Sequence, residues 1–250
     1  MANLERQHGV VFTTSGKKSK GAQRRGCEGV GFPEMAGVKK KAREMKGWLV
    51  FQDESGVSQR PPLRRTWAPR GETPVVVHSY NWKKISICAA IAYRWDAKRT
   101  RLYFQMRSGS YATESLILFL KELKKHFRRQ YVILIWDGLP AHKSRTMTEY
   151  LQSQQEWLRV ERLPGYAPDL NPVESLWGNI KGKELANQCA DDLSEVADAV
   201  RAGFDRVFGQ RQLLLGFLNH CGLFFGSSRN SGKGIERAYG SGLYWDQEPP

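Results

Sequence analysis

A run of consecutive apolar residues in the middle of the chain ends abruptly at an acid. Residues 131–136 read Tyr-Val-Ile-Leu-Ile-Trp and are followed directly by Asp137. A run of this length without polar alternation is typical of a strand that is covered on both faces, as in an α/β sheet. A second apolar run, residues 48–52, leads into Asp53. Because sites in such sheets gather at the carboxyl ends of strands, both aspartates are candidates for a functional site.

A third acid lies at the predicted start of a helix. Residues 163–177 read Leu-Pro-Gly-Tyr-Ala-Pro-Asp-Leu-Asn-Pro-Val-Glu-Ser-Leu-Trp. Asn171 stands at the N-cap position and Pro172 at the first helical position, so Glu174 falls in the first turn. We expect this glutamate to converge with the two strand-end aspartates. Because clustered carboxylates repel one another, a pair of divalent metal ions is the expected counter-charge.

The same three acids also have purely local explanations. The spacing from Asn171 to Glu174 is that of a capping box, in which the glutamate bonds back to the N-cap N–H. Asp53 and Asp137 each precede a glycine-containing sequence that favours a turn, so both are also candidate turn formers. The residue types alone leave these alternatives open.

Hydrophobic periodicity assigns the remaining elements. Alternating apolar residues predict a long strand over residues 84–94 and a neighbouring strand over 101–106. Three segments further along the chain are predicted as a helix over 113–128, a helix over 141–154 and a strand over 157–162. Two last helices are predicted over 172–186 and 192–208. The complete order is β-β-β-α-β-α-β-α-α, which predicts an α/β fold with a mixed five-stranded sheet flanked by helices.

The charge of the chain indicates a phosphate-rich partner. The formal net charge is +14, and nucleic acid is the first candidate because bound Lys and Arg release its counterions. The alternative is a solvated basic surface. Trp67 lies in a basic, proline-rich connection and is interpreted either as a base-stacking side chain or as the buried anchor of a surface loop. The candidate DNA-contacting residues are Arg64, Arg65, Arg70, Lys83 and Lys84.

The two ends of the chain differ in composition from its middle. Residues 1–46 contain 11 Lys or Arg against 4 Asp or Glu, with little apolar periodicity. They are predicted to be a disordered basic arm that follows a DNA backbone, or translated sequence without a role. Residues 226–250 are rich in Gly and Ser and are predicted to be a disordered tail. Residues 47–225 are left as one folded domain.

The four cysteines and the hydropathy of the chain exclude several classes of protein. The cysteines are scattered without a C-x-x-C pair, which argues against a zinc ribbon and against a disulfide framework. No apolar run reaches the roughly 20 residues of a membrane span, and no secretory signal is visible. The expected location is therefore the cytoplasm, without a membrane partner.

Four motifs in this order resemble a known family of enzymes. They are Phe-Gln-Asp-Glu-Ser-Gly at 51–56, Thr-Trp-Ala-Pro-Arg-Gly-Glu-Thr-Pro at 66–74, Trp-Asp-Gly-Leu-Pro-Ala-His at 136–142, and the segment at 163–174. With the predicted topology, they resemble the RNase H-like catalytic domain of DDE transposases and integrases. Bacterial insertion-sequence transposases allied to the mariner superfamily are the most similar. The 36 residues between Asp137 and Glu174 are close to the spacing in that family.

The resemblance implies a chemistry, a cofactor and a set of partners. Asp53, Asp137 and Glu174 are implied as the catalytic triad that binds two Mg²⁺ or Mn²⁺ ions. Asn171, the predicted N-cap, and His142, five residues after Asp137, are further candidates near the site, and His142 could equally cap or pack locally. The implied reaction is hydrolysis of phosphodiesters at the ends of a mobile element, followed by strand transfer into target DNA. Terminal inverted repeats and target DNA are thus the implied partners of a homodimer associated with the bacterial nucleoid.

The chain departs from this family at two points. Family members commonly carry Asn after the second aspartate, where this chain has Gly138. They also place helix-turn-helix domains before the catalytic domain, and residues 1–46 do not contain one, so a separate polypeptide is a possible source. Two other functions stay open, a DNA-binding relic without catalysis and a nuclease that cuts without strand transfer.

Overall fold

A mixed five-stranded sheet forms the centre of the fold in a computed structural model of the chain. The structure describes residues 12–13, 33–69, 72, 75–76, 83–165 and 167–223. The strands are β1 (Trp48–Ser58), β2 (Lys84–Arg94), β3 (Thr100–Ser108), β4 (Val132–Trp136) and β5 (Leu158–Arg162). Their order is β3-β2-β1-β4-β5, with antiparallel pairing from β3 to β1 and parallel pairing from β1 to β5. The predicted fold class is confirmed.

Helices cover both faces of this sheet. They are α1 (Pro33–Glu44), α2 (Thr113–His126), α3 (Arg145–Gln152), α4 (Pro172–Lys183), α5 (Leu193–Val207) and α6 (Arg211–His220). Helices α1, α4, α5 and α6 pack on one face, and α2 and α3 pack on the other. Two short 3₁₀ turns span Pro140–Lys143 and Pro168–Leu170. Apart from the main sheet, Phe12–Thr13 pairs with Val75–Val76.

Alternation along β1 divides its side chains between two cores. Leu49 and Phe51 pack toward α4, whereas Trp48 and Val50 pack toward α2. Strand β4 is buried along its whole length, as its unbroken apolar run predicted. Because successive side chains of a strand point to opposite faces, Asp53 is expected on the α4 side and Glu54 on the α2 side.

Strand β1 is longer than the sequence predicted. We expected it to end at Gln52, but it continues through Asp53 to Ser58. Strand β2 is equally long and pairs with it throughout, from Trp48 opposite Arg94 to Ser58 opposite Lys84. Cross-strand pairing therefore overrides the turn preference of the Ser55-Gly56 sequence. Asp53 is thus not a strand-end residue, although it lies beyond the last registered pair of the parallel β1–β4 ladder.

The predicted N-terminal arm is wrong over residues 33–44. These residues form helix α1, whose apolar side chains Met35, Val38 and Ala42 are buried in the core. Their spacing places them on one face of the helix, a pattern obscured by the four lysines and arginines between and beside them. Residues 1–11 and 14–32 of the predicted arm, and the predicted tail 226–250, lie outside the described residues.

The packing of α1 predicts a measurable loss of stability on truncation. Val38→Ala should lower the free energy of unfolding by about 1.5 kcal/mol, since each buried CH₂ contributes about 0.8 kcal/mol. The exposed neighbour Lys40 provides a control, because Lys40→Ala should change stability by less than about 0.5 kcal/mol. Urea unfolding of both variants measures the difference. Equal stabilities would show that α1 does not pack on the core.

Two further segments differ from their predictions. The helix expected over 141–154 is divided, because Ser144 is extended and caps α3 by accepting a hydrogen bond from the Met147 N–H at 3.2 Å. Helix α6 was not predicted. Its Leu214 carbonyl accepts a hydrogen bond of 2.8 Å from the buried Tyr93 hydroxyl of β2. In the part of the chain described, no helix is both long and apolar enough to cross a membrane.

Candidate active site

Asp53 and Asp137 follow the paired residues of two neighbouring parallel strands. Strands β1 and β4 pair in parallel, and the last residues in their register are Phe51 and Ile135. Each aspartate lies two residues further along its chain, beyond that last pair. Both residues are therefore near the carboxyl end of the parallel pair, although they are 84 positions apart in sequence.

Asp53 is a buried carboxylate held by a tryptophan. Its residue is only 9% exposed, and its Oδ2 accepts a hydrogen bond of 2.9 Å from the indole Nε1 of Trp177 in helix α4. Burial, with a smaller contribution from the negative charges of Glu174 and Glu54, raises the pKa of Asp53 to about 7, although the hydrogen bond from Trp177 opposes this shift. A positive charge placed here would therefore stabilise the ionised carboxylate.

Glu174 lies in the first turn of α4 and is exposed. Asn171 is the N-cap of this helix, as predicted, because its side chain accepts a hydrogen bond from the Val173 N–H at 3.1 Å. The Asn171 N–H is bonded to the Pro168 carbonyl at 2.9 Å, so it does not form the capping box with Glu174. Glu174 instead acts at a distance, through the effect of its charge on the pKa of Asp53.

Lys181 is a basic residue of this region that the sequence interpretation missed. It is seven residues after Glu174, two turns along α4, and its Nζ donates a hydrogen bond of 2.6 Å to the Ser55 hydroxyl on β1. Burial lowers the pKa of Lys181, and the charges of Glu174 and Asp53 oppose that shift. The i, i+7 spacing on one helical face was the available signal.

Asp137 contacts His142, whose ring packs on Trp136 on the α2 side of the sheet. Its side chain is 40% exposed, and its Oδ1 lies 2.8 Å from Nδ1 of His142. The same oxygen accepts a hydrogen bond from the Leu139 N–H at 3.0 Å. Burial raises the pKa of Asp137, but these two hydrogen bonds and the charges of His142 and Lys143 outweigh it and lower the pKa. With Gly138 in the chain, Asp137 is thus held by its own following turn.

His142 is almost fully buried, with 1% exposure, and contacts two acids. Its Nε2 is 3.2 Å from Oε1 of Glu54, and its ring stacks on Trp136 with centroids 4.1 Å apart. Burial lowers the pKa of His142, but hydrogen bonds to Asp137 and Glu54 dominate and raise it to about 9. Glu54 was not among the site residues that the sequence predicted, although strand alternation places it on the opposite face of β1 from Asp53.

The candidate DNA-contacting residues surround the connection after β1. Arg64 and Arg65 are exposed, as are Lys83 and Lys84, whereas Arg70 lies outside the described residues. Trp67 is 99% exposed, so it is not the buried anchor of the alternative interpretation. The connection is instead held by Asn187, whose side chain accepts a hydrogen bond from the Arg64 N–H and donates one to its carbonyl.

The oxygen donors of the three predicted ligands suit a hard divalent cation. Mg²⁺ and Mn²⁺ prefer carboxylate oxygen, and buried Asp53 carries an unfavourable charge that such an ion neutralises. Within the described ranges, no group of three or more His, Cys, Asp or Glu side chains is arranged to hold one metal ion. Asp137 is bonded to His142 and Glu174 is exposed, so binding by all three acids requires side-chain adjustment.

More than half of the chain matches the model of a known protein family. Residues 48–197 match the family described as DDE superfamily endonuclease. A protein of Shigella sonnei, described as the insertion element IS630 uncharacterized 39 kDa protein, is 27% identical over 154 residues. That alignment covers 61% of this chain and 43% of the relative, so the chain spans less than half of the relative's length.

Two solved structures share the fold. The Mos1 mariner paired end complex with Mn has a TM-score of 0.52 and 16% identity, over 82% of this chain and 63% of that one. The mariner Mos1 paired end complex with Mg has a TM-score of 0.53 and 19% identity, over 76% of this chain and 58% of that one. At these identities the likeness concerns the fold, and the chain spans less than two thirds of either.

Proposed function

Because the chain belongs to the family of DDE superfamily endonucleases, we propose that it is the catalytic part of a DNA transposase. The observation that supports this proposal is that Asp53 and Asp137 each lie two residues beyond the last registered pair of neighbouring parallel strands, with Glu174 close enough to shift the pKa of Asp53. We infer that the three acids serve a single centre. Turn or cap roles explain Asp53 and Glu174 less well, because Asp53 lies within a strand and Glu174 does not form the capping box. Asp137 does accept the hydrogen bond of a local turn, from the Leu139 N–H.

Asp53, Asp137 and Glu174 are the proposed ligands of two divalent ions, Mg²⁺ or Mn²⁺. Such ions activate an attacking oxygen and stabilise the leaving oxygen in phosphodiester displacement. The chain supplies the geometry. Strand β1 and the Trp177 N–H hold Asp53, the turn after β4 holds Asp137, and the Asn171 cap fixes the helical turn that carries Glu174.

The proposed reaction has two steps at the same centre. In the first, water attacks a phosphodiester at the element end, the bond to the 3′ oxygen breaks, and a 3′-OH is released. In the second, that hydroxyl attacks a phosphodiester of the target and displaces its 3′ oxygen, which joins the two DNAs. Neither step needs a covalent bond between DNA and protein.

The proposed partners are DNA and other protein chains. Exposed Arg64, Arg65, Lys83 and Lys84, with Arg70, are proposed to contact phosphates of the terminal repeats or the target. Joining two element ends calls for two catalytic sites, which supports a homodimer. A separate polypeptide is the proposed source of a helix-turn-helix domain, and the bacterial nucleoid in the cytoplasm is the proposed place of action.

Calorimetric titration with Mn²⁺ to millimolar concentration tests the proposal without depending on DNA recognition. The parent should bind Mn²⁺, and Asp53→Asn, Asp137→Asn and Glu174→Gln should each weaken binding by about tenfold or more. Asp198→Asn, in the exposed part of α5, is the matched control and should bind as the parent does. Absent binding, or binding unchanged by all three substitutions, would overturn the proposal and leave the DNA-binding relic.

Products formed on DNA separate the transposase from a nuclease. A labelled oligonucleotide with a free 3′-OH end is incubated with plasmid target, Mn²⁺ and the protein. Label joined to the plasmid is the expected product. Plasmid cutting without joined label would show a nuclease and would contradict the strand-transfer step.

A further inference from the structure

His142 occupies a position fixed by covalent and packing constraints. The 3₁₀ turn Pro140–Lys143 follows β4 after only three residues and carries the ring back over the end of the strand. There the ring lies parallel to Trp136, with an interplanar angle of 4°. The ring plane is therefore set by the core, and the directions of its two nitrogens are set with it.

Both ring nitrogens face carboxylates that belong to different strands. Nδ1 is 2.8 Å from Oδ1 of Asp137, which follows β4, and Nε2 is 3.2 Å from Oε1 of Glu54 on β1. A histidine that binds a metal ion needs one nitrogen lone pair free for it. Because each nitrogen of His142 is directed at an acid, His142 is not placed to act as a metal ligand.

Glu54 is held firmly at the other end of this contact. Its Oε1 also accepts a hydrogen bond of 2.8 Å from Nε2 of Gln52, a buried residue on the same face of β1. The Gln52 amide in turn lies 3.2 Å from the Cys88 sulfur of β2. The carboxylate that anchors His142 is thus connected to two central strands of the sheet.

These contacts determine which oxygen of Asp137 remains available. Oδ1 is engaged by His142 and by the Leu139 N–H. Oδ2 is the oxygen left for a ligand in a side chain that is partly open to solvent. In metal sites, neighbouring residues commonly orient a coordinating carboxylate by hydrogen bonds. With Oδ1 held in this way, Asp137 is oriented to bind an ion through Oδ2.

We propose that His142 and Glu54 are positioning residues that orient Asp137 for metal binding, which rests on the proposed role of Asp137 as a metal ligand. Strand β1 then places both aspartates: it contains Asp53 on one face, and from the other face it holds Asp137 through Glu54 and His142. Neither His142 nor Glu54 contacts DNA or metal in this role.

Variants with matched controls test this proposal by metal affinity. His142→Phe keeps a ring to stack on Trp136 but removes both nitrogens, and Glu54→Ala removes the anchor. Each should weaken Mn²⁺ binding, measured by calorimetry, about 10- to 100-fold. His126→Phe is the control, because His126 ends α2 and its ring contacts Tyr103, with centroids 5.1 Å apart, so its replacement should leave Mn²⁺ affinity unchanged. Glu54→Gln keeps an acceptor for His142 and should restore most of the affinity lost in Glu54→Ala.

A double-mutant cycle separates positioning from a general effect on folding. If both residues act through Asp137, the double variant should bind Mn²⁺ no more weakly than the weaker single variant. The parent titration is read first, because a parent that binds no Mn²⁺ refutes the metal site itself. A parent that binds, with His142→Phe and Glu54→Ala binding equally well, would refute the positioning role alone. Additive losses would refute it too. If His142→Phe unfolds, the comparison of Glu54→Ala with Glu54→Gln decides.

Discussion

Replacing any one of the three proposed ligands should slow strand joining at saturating Mn²⁺ by about 10³-fold or more. Metal ions provide several kcal/mol of transition-state stabilisation in such displacements, and each 1.36 kcal/mol corresponds to about a tenfold change in rate. Asp53→Asn, Asp137→Asn and Glu174→Gln keep the size of each side chain and remove its charge. The measurement is the initial rate of joined product with a pre-cut element end.

The control for this prediction is again Asp198→Asn, which removes an exposed carboxylate of the same size from α5. It should keep the parent rate within a factor of about two, because surface substitutions away from a site have small effects. A ligand variant that retained a tenth or more of the parent rate would contradict its assigned role. Loss of rate in the control as well would indicate a general effect of charge on DNA binding.

Asp53→Asn should also stabilise the protein when no metal is present. Burial raises the pKa of Asp53 to about 7 in the fold, whereas Asp in an unfolded chain titrates near 3.9. Between these values the folded state retains a proton that the unfolded state has lost, so this group reduces stability as the pH rises from about 4 to 7. Above pH 7 the reduction is complete. Asn is neutral at every pH and retains an oxygen for the Trp177 N–H.

The expected gain is on the order of 2–4 kcal/mol at pH 8, from about 1.4 kcal/mol per unit of pKa, and close to zero at pH 4. For a chain of this size, that corresponds to a rise in Tm of roughly 5–10 °C. Thermal unfolding in the presence of a chelator, at both pH values, measures it. A variant that is no more stable than the parent at pH 8, or that differs equally at both pH values, would contradict the buried state of Asp53.

Local sequence patterns correctly predicted those parts of the fold in which the hydrophobic periodicity agrees with the pairing of the strands. The strict alternation of residues 84–94 gave the bounds of β2 correctly, since Lys84 and Arg94 are its first and last residues. Asn171 was identified correctly as an N-cap because Asn is common at that position and Pro172 after it suits the first position of a helix. The parallel pairing of the strands that lead to Asp53 and Asp137 agrees with the predicted mixed sheet.

The parts that the sequence did not reveal depend on contacts between distant segments. Glu54 and His142 are 88 residues apart, and they meet because the 3₁₀ turn after β4 stacks the His142 ring on Trp136, beside β1. The extension of β1 beyond Asp53 depends on β2, whose pairing overrides a turn-forming sequence. In α1, three buried apolar side chains are surrounded by basic residues, so composition concealed a helix that packs on the core.

The central claim is that Asp53, Asp137 and Glu174 share one metal centre. The most direct test is a crystal structure determined from crystals soaked in Mn²⁺, with data collected at an X-ray energy where manganese scatters anomalously. We predict anomalous density between Asp53, Asp137 and Glu174, with Oδ2 of Asp137 as the coordinating oxygen and His142 still bonded to Oδ1. Density that lies elsewhere, or that contacts only one of the three acids at millimolar Mn²⁺, would contradict a shared metal centre.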